Sequence, residues 1–102
     1  MNGPQKIGHW SNLKAPNHTD RHQHLLAGHK YKVIREFVDY DEDKHPVGET
    51  WTFLGCSFLP YDDGLSLFVT FNGKQEWHLR MQWRKEAQAN VLDALSEYIQ
   101  AL

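Results

Sequence analysis

Histidines, and aspartates set beside tyrosines, are the side chains of this 102-residue chain with the most chemistry to offer. Five of the seven histidines fall in the first 29 residues, among them His18, His22, His24 and His29. On a helix, His18 and His22 would share a face at i,i+4 spacing, and two imidazoles so placed can begin a metal site. His24 would point elsewhere and no Cys or Glu completes the set, so neither a metal nor a cofactor is expected.

A second set is acidic and aromatic: Tyr40, Asp41, His45, Trp51, Tyr61, Asp62 and Asp63. In Pro60-Tyr61-Asp62-Asp63-Gly64 turn chemistry accounts for the proline, one aspartate and the glycine. Tyr61 and the second aspartate are left over. Asp39-Tyr40-Asp41 repeats the theme. Aromatic faces beside carboxylates attract cations, and such surfaces also take basic or proline-rich peptides. These seven residues form the candidate ligand- or partner-binding set, with a protein or peptide as the expected partner and a basic one among the options.

The case for catalysis is thinner. Asp62 and Asp63 are adjacent and diverge; His45 and His78 could act as bases but no nucleophile is evident. Cys56 lies in an apolar strand where a thiolate is costly. There is no phosphate-cradling glycine loop, nucleophile elbow or HExxH. No catalytic residue is assigned, and a small hydrolase or ligand-sequestering protein using His45, Asp62 and Asp63 is kept as the alternative. Arg80, Arg84 and Lys85 could meet phosphates, but the net charge of −2 argues against a nucleic-acid partner.

Charge divides the chain. Residues 1–35 hold six cationic side chains against Asp20, and the remainder is net acidic. With its glycines, prolines and asparagines, the segment 1–24 reads as a flexible, basic, histidine-rich arm anchored at most by Trp10 and Leu13. Residues 19–27 could add a short helix capped by Thr19 or Asp20 and stopped at Gly28. Residues 25–102 form one β-barrel-like domain. No apolar run is long enough to span a membrane. One cysteine and no leader-like N-terminus point to the cytoplasm.

Strands follow from composition and alternation. Tyr31–Tyr40 is β-branched and aromatic, but its alternation slips at Val33/Ile34 and at Phe37/Val38, which signals a bulge. Trp51–Leu59 reads as apolar on both faces, hence central, with Gly55 inviting a bend. Leu65–Phe71 and Glu76–Arg84 alternate cleanly. An Asn72-Gly73 two-residue turn would set the core of one strand against the charged face of the next. A three-residue loop, 72–74, pairs Val69 with Trp77, Leu67 with Leu79 and Leu65 with Met81, and is expected instead. Val91, Leu92, Leu95, Tyr98, Ile99 and Leu102 recur at three- and four-residue intervals and predict an amphipathic helix over 86–101.

The fold class expected is mainly β (α+β): a strongly curved antiparallel sheet or partial SH3-like barrel of four to five strands, with that C-terminal helix packed on it. The SH3-like comparison is an analogy of fold alone. The chain also resembles a family of small bacterial domains of unknown function, family 3601. The likeness rests on Gly28, Tyr31-Lys-Val33, Phe37-Val-Asp-Tyr-Asp41, His45, Gly48-Glu-x-Trp51, Phe58-x-Pro-Tyr-Asp-Asp-Gly-Leu65 and Gln88. It covers about residues 25–100 and implies a bacterial or phage origin without supplying an activity. The functional expectation is a non-catalytic binding module that recognises a protein or peptide through its acidic-aromatic surface. An immunity- or inhibitor-type protein masking a basic partner is a variant of the same reading.

Overall fold

The computed structural model describes residues 1–11, 17–59 and 63–102. Its strands in chain order are β1 (Asn2–Lys6), β2 (His18–Thr19), β3 (Arg21–His22), β4 (Leu25–Leu26), β5 (Lys30–Val33), β6 (Phe37–Val38), β7 (Lys44–His45), β8 (Thr50–Leu59), β9 (Gly64–Thr70), β10 (Gln75–Gln82) and β11 (Ile99–Ala101). A five-residue helix, α1 (Ala89–Asp93), and a 3₁₀ turn, Leu95–Glu97, precede β11. The main sheet runs β1-β10-β9-β8-β5-β11, with β2 added to β8. Every pairing is antiparallel. Among the described residues the sheet is open, bounded by β1 and β11, and does not close into a barrel.

The β9–β10 register is the one burial demands. Val69 faces Trp77, Leu67 faces Leu79 and Leu65 faces Met81. Asn72 holds the three-residue loop: its Oδ1 accepts the N–H groups of Lys74 and Gln75 at 2.9 Å. In this role the asparagine mimics a backbone acceptor rather than taking a left-handed hairpin position.

β8 corrects a sequence expectation. The pairing with β9 shifts between Phe53 and Gly55, so Leu54 is an extra residue. Cys56 then faces Leu67 and Phe58 faces Leu65, on the same side as Phe53 opposite Val69. What alternation read as two apolar faces is one apolar face interrupted by a bulge. Gly55 is needed there. Its φ is +153°, and a Cβ would lie 2.7 Å from Nε2 of His18 where β2 crosses.

The inner face of the sheet carries Tyr31, Val33, Trp51, Phe53, Leu67, Val69 and Leu79 into a core closed by Leu25, Phe37, Leu92, Leu95 and Ile99. Leu92, Leu95 and Ile99 of the apolar stripe are buried and Val91 and Tyr98 partly so, while Leu102 is exposed; the helix expected over 86–101 is reduced to α1 and the 3₁₀ turn. Ile99–Ala101 instead pairs with β5, giving that strand's outer edge backbone partners which a helix could not supply. The strand expected over 31–40 is likewise cut in two at the slip in its alternation, β5 staying in the main sheet and β6 forming a hairpin with β7.

The described residues of the segment 1–24 are not an arm apart from the domain; Leu13 lies outside them. β1 pairs with β10 and β2 with β8, while β3 and β4 form a hairpin where a helix was expected over 19–27. Two features explain this. The β10 edge would otherwise present unpaired backbone groups. Glu76, buried on the outer face of β10, gathers the N–H groups of Gly8 (2.6 Å), Trp10 (2.7 Å) and Ser11 (2.9 Å) and the Ser11 hydroxyl (2.6 Å).

Candidate functional site

The loop between β6 and β7 is built around Asp39, which is 1% exposed. Its Oδ1 accepts the N–H groups of Asp41 (2.9 Å) and Asp43 (3.1 Å), closing the loop from within. Its Oδ2 accepts a bond from His45 Nε2 at 2.8 Å and lies 3.2 Å from the Met1 ammonium. The other His45 nitrogen, Nδ1, bonds Glu49 at 2.7 Å, and its ring stacks on Phe37. Burial alone would lower the His45 pKa, but the bonds and charges of Glu49 and Asp39 outweigh it and raise it.

The Met1 ammonium also meets Asp41 (3.1 Å) and Asp43 (2.6 Å). Burial opposes its charge, yet Asp43, Asp41 and Asp39 together lift its pKa. Asp41 in turn bonds Nη2 of Arg80 at 2.9 Å. Burial alone would raise the Asp41 pKa, but the Met1 amine and Arg80 more than offset it and hold the carboxyl below its usual range. The Arg80 guanidinium carbon sits 5.3 Å from the centre of the Tyr40 ring, and the Tyr40 N–H donates to the Arg80 carbonyl. The β6–β7 loop is thus latched to the edge of β10.

Beside that latch, the outer face of β9 and β10 is concave. A cleft of about 460 Å³ is lined by Tyr40, Leu59, Gly64, Leu65, Ser66, His78, Arg80, Met81 and Gln82. Tyr40 and Leu59 are 47% and 42% exposed. Ser66 and Arg80 face one another across the strands. The Ser66 hydroxyl lies 2.7 Å from Nε2 of His78. Burial, and then the charge of Arg80, push the His78 pKa down to about 4, so its imidazole is neutral at pH 7. His78 also touches Trp10 and Phe68, and His18 stacks on Phe68, so Trp10 and His18 of the N-terminal segment pack on this face next to the cleft.

The sequence-derived set is divided by the fold. Tyr40 lines the cleft and Asp41 braces its Arg80. His45 is fully buried behind the loop. Trp51 is a core residue, 3% exposed, whose indole N–H has no partner among the described residues. Asp63 takes a left-handed turn (φ 54°), accepts the Trp83 N–H at its carbonyl and bonds Arg84 at 3.2 Å through its carboxylate, so local structure accounts for it. Tyr61 and Asp62 lie outside the described residues. Ser66, Arg80, Asp39 and Glu49 were missing from that set. Strand alternation puts Ser66, His78 and Arg80 on one face, and that was the available signal.

The N-terminal histidines go to separate places. His18 packs on Phe68, His22 on Trp83 and His24 on Tyr31. His18 and His22 sit on two short strands rather than one helix. Among the described residues no group of three or more His, Cys, Asp or Glu side chains could hold a metal ion. The Cys56 thiol is buried 3.0 Å from the Thr19 hydroxyl, and burial raises its pKa. Among the described residues no helix is long and apolar enough to cross a membrane.

No curated protein matches the chain. A solved structure similar to it is an integron cassette protein, VCH_CASS4, from the mobile metagenome of Vibrio cholerae. The two share 37% identity over 82% of this chain and 92% of that one, with a TM-score of 0.79. A family model described as a domain of unknown function, DUF3601, matches residues 11–102, and the chain belongs to that family.

Proposed function

We propose that the protein is a non-catalytic binding module that recognises a peptide segment of a partner protein in the cleft on the outer face of β9 and β10. The observation that carries this reading is the cleft itself: about 460 Å³ of concave surface with half-exposed Tyr40 and Leu59 as walls and polar groups on its floor. Recognition sites pair apolar walls with a few fixed polar groups in this way. Of the acidic-aromatic set, Tyr40 lines the cleft and Asp41 braces its Arg80, while His45 holds Asp39 within the loop that carries them.

The hydrolase alternative moves from His45, Asp62 and Asp63 to Ser66 and His78, whose 2.7 Å contact is what favours it. Two features weigh against it. A histidine that titrates near 4 is a weak base at neutral pH. Among the described residues no carboxylate bonds its other ring nitrogen, as a catalytic orienter would. The immunity-type variant is weakened too, because Asp39, Asp41 and Asp43 are already paired within the chain.

The integron cassette neighbour supports a bacterial setting, and a single buried thiol suits the cytoplasm. The partial SH3-like barrel is an analogy of fold that adds nothing to the functional reading. Affinity capture with the wild type and with Tyr40→Ala/Leu59→Asp tests the cleft. Partners should be lost from the double variant, and a partner retained equally by both proteins would place the binding surface elsewhere.

A further inference from the structure

Resting on that reading of the cleft, we infer that it anchors its peptide through an acidic side chain, an aspartate or glutamate carboxylate received by Arg80 and Ser66. The argument begins with charge. Of the described residues that line the cleft, one is cationic and none is acidic. Among the described residues the carboxylates nearby are occupied: Asp41 by Arg80 and the Met1 ammonium, Asp43 by that ammonium, Asp39 by it and by His45, and Asp63 by Arg84. The acidity that made a basic partner attractive from sequence is directed into the loop.

Geometry agrees. Arg80 is held by a hydrogen bond to Asp41 and by the Tyr40 ring. Only one of its nitrogens, Nη2, is so used, and the side chain is 47% exposed. A guanidinium fixed in this way, with donors to spare, is prepared for a carboxylate. Ser66 is its partner across the strands. The anchor requires the Nε2–H tautomer of neutral His78, in which Nε2 donates to Ser66 Oγ across their 2.7 Å contact and leaves the Ser66 O–H to donate to the same carboxylate. Tyr40 and Leu59 would take the apolar side chains flanking the acid.

The test is selection from a displayed library of random 12-residue peptides on the full-length protein, followed by titration of the selected peptides. Selected peptides should share an Asp or Glu, and replacing it with Asn or Gln should weaken binding roughly ten- to hundredfold. In Arg80→Gln that difference between acid and amide peptides should disappear, and Ser66→Ala should reduce it. Thermal unfolding of both variants checks that they remain folded; because Ser66→Ala leaves the Asp41 latch intact, it tests the anchor even if Arg80→Gln destabilises the loop. Selected peptides that are basic, or whose acid and amide forms bind alike, overturn the anchor and leave the cleft reading standing. A library that yields no peptide overturns both.

Discussion

Asp39 and Glu76 are both buried carboxylates, and each accepts four contacts, but from opposite kinds of donor. Glu76 is surrounded by three backbone N–H groups and a hydroxyl, all neutral. Asp39 has two backbone N–H groups and two cationic partners, His45 and the Met1 ammonium. The first arrangement keeps a net charge and solvates it with dipoles. The second neutralises the charge and makes the loop depend on the protonation of its partners. Both fasten the N-terminal segment, Glu76 by residues 8–11 and Asp39 by residue 1. Only the second also shapes the cleft, because the loop it closes carries Tyr40 and Asp41.

The largest break in this comparison is expected from His45→Ala. It empties a fully buried position and leaves Asp39 and Glu49 without their shared donor. A loss of about 3–5 kcal/mol is expected in urea unfolding, with loss of protection in the β6–β7 hairpin by hydrogen exchange. Glu76→Gln is milder. Its amide nitrogen would face backbone donors, and a loss of about 1–3 kcal/mol is expected, with a change in Trp10 fluorescence. Should Glu76→Gln prove the costlier of the two, neutral solvation would be the stronger clamp and the contrast would be reversed.

Acidity separates the two clamps by sign. The His45 pKa is raised on folding, so its contribution is complete below about 6.5 and is lost as pH rises through the folded value. Burial on its own would raise the Glu76 pKa, but its four hydrogen bonds more than offset this and lower it. Its contribution is complete above about 4.5 and is lost as pH falls through the folded value. His78, depressed to about 4, adds to the loss on the acid side, because the unfolded chain takes up its proton first. Residue-resolved hydrogen exchange against pH should show the hairpin loosening in alkali and residues 8–11 loosening in acid. A ¹⁵N-detected titration should place His78 near 4; a value near 6.5 would contradict its burial beside Arg80. The smallest effect is expected from acetylating the Met1 amine, below about 1 kcal/mol by thermal unfolding, since Asp43 is half exposed and Asp41 keeps Arg80.

Much of the sheet was legible in the sequence because burial enforces alternation. Leu65, Leu67 and Val69 could face only Trp77, Leu79 and Met81, and that decided the register and the 72–74 loop. The slip at Val33/Ile34 and the bend expected at Gly55 marked real irregularities, although the extra residue before Gly55 reversed the reading of the faces beyond it. Local propensity failed where a distant backbone decided the outcome. Ile99–Ala101 is drawn out of a helical pattern by β5, and Asn2–Lys6 has no apolar pattern of its own because it pairs at an edge and stays exposed. Within the candidate site, Tyr40 and Asp41 were readable as a theme. His45 looked like a reagent and is a buried strut, since nothing local announces that Asp39 and Glu49 will converge on it.

The sheet order also governs when this chain can fold. Its first strand pairs with the tenth, and its fifth with the eleventh, so both ends of the sheet wait for residues beyond 75. During synthesis, β5, β8 and β9 can pair while the β10 edge and its Glu76 have yet to leave the ribosome. Pairings so distant in sequence close slowly and leave strand edges open in the meantime. β1, made well before the strand it pairs with, should be among the last elements to find its place.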